Sequence, residues 1–122
     1  MRNRDSNLRV LVVAGDRRFR TVTSALLAQR GCSVSIHDGS CEIPQSAARE
    51  RADVVVLDAT RSLTAAALTA GQLRSLRPPV GVVAVSSDPL EQLPTLPVLP
   101  KWGSFDALFG AVQRMRGQDA DV

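Results

Sequence analysis

The residues from Ala52 to Thr60, ADVVVLDAT, constrain this chain more than any other stretch. Val54 to Leu57 are four consecutive large apolar residues, three of them β-branched, and match a strand buried on both faces, as at the centre of a parallel sheet. An acidic residue, Asp58, closes the run. In open α/β sheets the C-terminal edge of the strands gathers ligands and chemistry, because its loops vary while the strands hold them in place. Asp58 is therefore the first candidate for a working residue, set against a carboxylate that only faces water or caps the next helix.

The segments on either side repeat one unit. Leu8–Val13 is apolar enough for an inner strand, and Asp16 then stands where the N-cap of a helix over Arg17–Arg30 belongs, with Phe19, Val22, Leu26 and Leu27 at helical spacing and Gly31 as the stop. Ser33–Ile36 alternates as a short second strand, and Pro44 opens a brief helix to about Arg51. Ser62 caps a helix to Leu76 with Leu63, Ala67, Ala70 and Leu73 along one side, ended by Pro78-Pro79. Val80–Val85 is a fourth buried strand leading into Ser86-Ser87. Four prolines, at 89, 94, 97 and 100, cut the next helix to little more than a turn, and Val98-Leu99 is a clipped fifth strand. Gly103 or Ser104 opens a last helix whose apolar stripe is Phe105, Leu108, Phe109, Val112 and Met115.

Strands and helices alternate five times, which predicts a three-layer α/β sandwich around a five-stranded parallel sheet in the order 2-1-3-4-5, the flavodoxin-like arrangement. The expected organisation is one folded domain over 8–116, between flexible tails at 1–7 and 117–122. In that order Asp16, Asp58, Ser86 or Ser87, and Lys101 converge at one edge of the sheet.

Composition narrows the function classes. The net charge of +3 comes from fourteen arginines and one lysine against twelve acids, but the arginines are scattered, and three Phe, one Trp and no Tyr offer no stacking platform. Direct nucleic-acid binding is not expected. No apolar run is long enough to span a bilayer, and the first seven residues lack a signal-peptide core, so the expectation is a cytoplasmic protein. Cys32 and Cys41 have neither metal-ligand nor disulfide-framework spacing, and His37 in its turn has no second ligand nearby and is expected at the surface. No phosphate loop rich in Ser, Thr or Gly follows the first strand and no cobalamin-type His motif occurs, which argues against a flavin or cobalamin domain.

From Leu8 to Met115 the chain resembles the receiver domains of two-component response regulators. The points of likeness are Leu11-Val12-Val13 before an acidic turn, Asp53 to Asp58, the hydroxyl of Ser86, and Pro100-Lys101. The resemblance implies that Asp58 is the phosphoacceptor position, addressed by a histidine kinase in a phosphorelay. It further implies that Ser86 and Lys101 engage phosphoryl oxygens, and that Thr60 offers a backbone carbonyl to Mg²⁺.

The sequence also departs from that pattern. The family's acidic pair falls on Ala14 and Gly15, whose side chains carry no ligand atom; its aromatic switch position is Val98, and the proline after its lysine is Trp102. Each missing carboxylate removes an attraction of order 4 kcal/mol per pair of unit charges. The expectation is no cofactor, or at most a weak Mg²⁺ site from Asp16, Asp58 and Thr60. Asp16 is divided between that role and the helix cap. Arg17, Arg18 and Arg61 flank the same edge, where a guanidinium with Lys101 would neutralise Asp58 directly, although at least two of the three belong in solvent. Trp102 is expected to pack at the core or rim. The reading is an atypical receiver, a pseudo-receiver, that is not an enzyme and acts by protein–protein interaction through its last helix and the loop before it. Its partner would be a histidine kinase or a downstream signalling protein, and its state a monomer or weak homodimer. The alternative is a functional phosphoacceptor receiver modified on Asp58.

Overall fold

In a computed structural model of the chain, the described residues are 8–40, 42–88 and 96–120, with the side chains of 116–120 left aside. The order of elements is β1 (Arg9–Val13), α1 (Arg17–Gln29), β2 (Ser33–His37), α2 (Ile43–Glu50), β3 (Val54–Asp58), α3 (Leu63–Arg74), β4 (Gly81–Ser86), β5 (Val98–Pro100) and α4 (Phe105–Ala120). All strand pairs are parallel and the sheet order is β2-β1-β3-β4-β5. This is the expected three-layer sandwich. The shortened helix expected between the fourth and fifth strands falls on residues 89–95, outside the described ones.

Every inner strand is buried on both faces, and the two-residue side-chain period sorts it between two cores. Leu11, Val13, Val55, Leu57 and Val82 face α2 and α3, where Ala47, Ala66, Ala70 and Leu73 meet them. Val10, Val12, Val54, Val56 and Val83 face α1 and α4, against Phe19, Leu27, Leu108 and Val112. Gly81 permits close approach of α4 to the sheet, since a Cβ there would stand 2.7 Å from that of Met115.

Four local expectations change. On α1 the buried positions are Phe19, Thr23 and Leu27, at i, i+4 and i+8, and this line leaves Val22 39% exposed. On α3 the fully buried line is Ala66, Ala70 and Leu73, with Ala67 only half-buried, and the helix ends at Arg74 because the chain must turn before Pro78-Pro79. The last helix keeps its expected stripe but runs on to Ala120, past the domain boundary placed at 116. His37 is not a surface residue: its side chain is 14% exposed and its Nδ1 accepts the Gly39 amide at 2.9 Å.

Candidate functional site

The C-terminal ends of β1, β3 and β5 bring Asp16, Asp58 and Lys101 together. β3 delivers Asp58 at its last position, in register with Val85 of β4. Asp16 is fixed as the N-cap of α1, its Oδ1 accepting the Phe19 amide at 3.2 Å, so a free donor of the first turn is satisfied. Lys101 leaves the end of β5 with its amide tied to the Ser86 carbonyl at 2.9 Å. Its ammonium lies 2.8 Å from Asp58 Oδ2 and 3.0 Å from Asp16 Oδ2. One cation thus clamps two carboxylates. Beneath it lies the Phe19 ring, 5.6 Å from the ammonium.

The other oxygen of Asp58 is also engaged. Its Oδ1 accepts the Thr60 amide at 3.0 Å and the Thr60 hydroxyl, and that hydroxyl in turn accepts the Ser87 amide at 3.1 Å. Asp58 and Lys101 each keep only 8% of their side-chain surface exposed. The hydrogen bond from Lys101, ahead of the one from the Phe19 amide, holds Asp16 below the usual carboxylate value of 3.8. Burial alone would lower the pKa of Lys101; its bonds to Asp58 and Asp16 outweigh that and raise it above 10.5.

The sequence-derived residues do not all meet. Ser86 is buried, but its hydroxyl accepts the Asp88 amide at 3.0 Å and so serves the local turn, whereas Ser87 is the serine linked to Asp58 through Thr60. Arg17, Arg18 and Arg61 are exposed, and none pairs with Asp58; Arg18 lies instead 5.9 Å over the Trp102 ring. Trp102 is a rim residue, 53% exposed and edge-on to Phe19 at 5.5 Å.

Arg20 is the residue that sequence reasoning missed. Its guanidinium donates to the Ala14 carbonyl at 2.7 Å, and its charge adds a little to the hydrogen bonds from Ser40 that chiefly hold the Asp38 carboxyl below its usual value. The available signal was its place one helical turn after the Asp16 cap, because helical side chains lean toward the N-terminus and this one reaches back over the β1–α1 turn.

A cleft of about 530 Å³ opens over this edge, lined by the turn after β1, the loop after β2, and Thr60, Arg61, Ser62, Ala65 and Ala66 on the β3–α3 side. Small side chains at 14, 15, 65 and 66 make the room.

The donor set does not fit a divalent cation. Ala14 and Gly15 bring no side-chain oxygen, Arg20 holds the Ala14 carbonyl, and the remaining two carboxylates share an ammonium. No group of three or more His, Cys, Asp or Glu suited to a metal occurs among the described residues. Separating Lys101 from its partners would leave a charge uncompensated and largely buried, at a cost of about 3 kcal/mol, or more than a hundredfold in affinity.

The chain superposes on the receiver domain of the hybrid histidine kinase CckA with TM-score 0.65 and 22% identity, covering 88% of this chain and 98% of that one. A response regulator from Thermotoga maritima gives 0.66 and 18%, with 91% and 98% covered. The Vibrio cholerae chemotaxis protein CheY4 gives 0.66 and 18%, with 89% and 98% covered. The fold is the receiver fold. No protein-family model matches the sequence, and no curated protein matches it. Among the described residues of this receiver-fold chain, no helix is long and apolar enough to cross a membrane.

Proposed function

We propose that this chain is a pseudo-receiver of two-component signalling, working through protein–protein contacts with its Mg²⁺-dependent phosphorylation impaired. The observation that carries the reading is the Lys101 ammonium shared by Asp16 and Asp58, next to two positions that supply no ligand. Phosphoryl transfer to a carboxylate brings anions together and requires cationic charge at the acceptor. Here Lys101 is that charge. Asp58 is the acceptor position, Lys101 holds it in a static ion pair whose cation is shared with Asp16, and Thr60 and Ser87 fix its orientation. Ser86 holds the turn after β4. The module is a binding domain rather than an enzyme, its partner a histidine kinase or a downstream signalling protein. The contact surface is α4 with the loop before it.

The retained Asp58–Lys101 contact also suits the alternative, a working phosphoacceptor. One experiment separates the two. The full chain is incubated with acetyl phosphate across a Mg²⁺ titration and its intact mass followed. The expected result is no more than trace addition of one phosphoryl mass at any Mg²⁺ concentration. Stoichiometric, Mg²⁺-dependent labelling that Asp58→Asn abolishes overturns the reading.

A further inference from the structure

We infer that the loop after β2 is a pH-operated latch on one wall of the cleft, and that its trigger is the imidazole of His37. The loop is built from two overlapping turns of one kind, in each of which a side chain accepts the backbone amide two residues on. His37 Nδ1 accepts the Gly39 amide at 2.9 Å, and Asp38 Oδ1 accepts the Ser40 amide at 2.9 Å. Gly39 itself has a φ of +85°, a conformation that a residue with a Cβ rarely adopts.

The first turn depends on protonation. A ring nitrogen that accepts an N–H has no proton of its own, so the neutral ring carries its hydrogen on Nε2. A proton taken from solvent onto Nδ1 turns that acceptor into a donor and sets it against the Gly39 N–H, in a side chain only 14% exposed. Imidazole is the side chain that changes charge between about pH 5 and 8. Asp38 Oδ1 stands 3.9 Å from Nδ1, so the new N–H finds an anionic acceptor after a small rotation, at the expense of the bond to Ser40.

The neighbouring charges stay fixed over that range. Hydrogen bonding from Ser40 chiefly keeps the Asp38 carboxyl below 3.8, hence ionised, and Arg20 on α1 adds a little positive charge there. Val13, in register with His37 on β1, faces the α2 side of the sheet and carries no charge. On that side α2 has Glu42 at its start and Arg49 and Glu50 at its end, and Glu50 accepts from the Ser35 hydroxyl.

The latch bears on the site through packing. A Cβ added to Gly39 would stand 3.7 Å from Val13 Cγ1 and 3.8 Å from the Gly15 nitrogen, so the loop lies against the turn that leads to Asp16. The His37 carbonyl accepts the Ala14 amide at 3.0 Å, and Asp38 and Gly39 line the cleft that Asp58 also lines. Acidification loosens this wall and leaves the sheet intact.

The test is NMR of the full-length ¹⁵N-labelled chain between about pH 8 and about pH 5, where the one histidine makes the ring signals unambiguous. At the alkaline end the ring should be the Nε2–H tautomer. On acidification the amides of Gly39, Ser40 and Ala14 should shift along the ring's own curve, while those of Val55 and Val83 in the inner strands stay still. His37→Asn keeps an acceptor near the Nδ1 position but does not titrate, so its Gly39 amide should not move. A neutral ring protonated on Nδ1 overturns the inference without any variant. So does a Gly39 amide that ignores the ring, one that still titrates in His37→Asn, or a curve shared with Val55 and Val83, which would mark global unfolding.

Discussion

The two faces of the sheet are covered by different materials. Over one lie α1 and α4, which bring Phe19, Leu27, Phe105, Phe109 and Val112; over the other lie α2 and α3, whose inward residues are mostly alanine. The aromatic face is also tied across its helices, because the Arg30 guanidinium stands 5.1 Å from both the Phe105 and Phe109 rings and 2.8 Å from Asp106. The alanine face has no counterpart among the described residues, and Leu68 on α3 is 69% exposed. Large side chains cover the first face. Small ones leave the open volume on the second, beside the upper ends of β1 and β3, where the cleft lies.

The largest test of this asymmetry is truncation of the central residue of each face. Phe19→Ala should cost about 3–5 kcal/mol and Leu73→Ala about 2–4 kcal/mol, both read by chemical denaturation. The gap should be larger than ring size alone gives, because Phe19 also supports Trp102 and underlies Lys101. Equal losses would mean that the two faces are packed equally well.

The next test removes the clamp at the C-terminal edge of the sheet, which rests on Phe19 of the aromatic face. Lys101→Met should cost about 3 kcal/mol in thermal or chemical unfolding, chiefly because Asp58 is then left largely buried without its cation. The pH dependence has a definite sign at each end. Asp16 is depressed in the fold, so its contribution is full above 3.8 and is lost as the pH falls through its lower folded value. Lys101 is raised, so its contribution is full below 10.5 and is lost as the pH rises through its higher folded value. The melting temperature should therefore carry no signature of the clamp between about 4 and about 10, and Lys101→Met should flatten the alkaline fall. The smallest effect is Arg30→Gln, about 1 kcal/mol, since its ion pair is solvent-exposed and its ring contacts contribute a few tenths each. A larger loss there would show that α4 depends on α1 rather than on the sheet.

Much of this architecture is legible in the sequence. Val54–Leu57 and Val80–Val85 are too uniformly apolar to be anything but inner strands, and the stripe from Phe105 to Met115 fixes the buried side of α4. Which stripe wins on α1 is harder to read, because Thr23 buries its methyl-bearing side chain and Val22 does not, a choice made by the helix's rotation on the sheet. At the site, strand order alone brings Asp16, Asp58 and Lys101 together. Hydrogen-bond assignment is less accessible: Ser86 and Ser87 are adjacent and chemically identical, and only the backbone path after β4 decides which one reaches Thr60. Arg20 was hidden for a similar reason, since its partner is a main-chain carbonyl that leaves no mark on composition or spacing.

One consequence follows from where the single tryptophan sits. Trp102 is the next residue after Lys101, abuts Phe19 edge-on, and lies under the Arg18 guanidinium, with half of its ring in water. The molecule thus carries its own optical gauge, with no second indole to blur it. Any event that loosens the lysine from its carboxylates, whether acid, substitution or a docking partner, should register as a change in the intensity and colour of ultraviolet emission, without a dye attached.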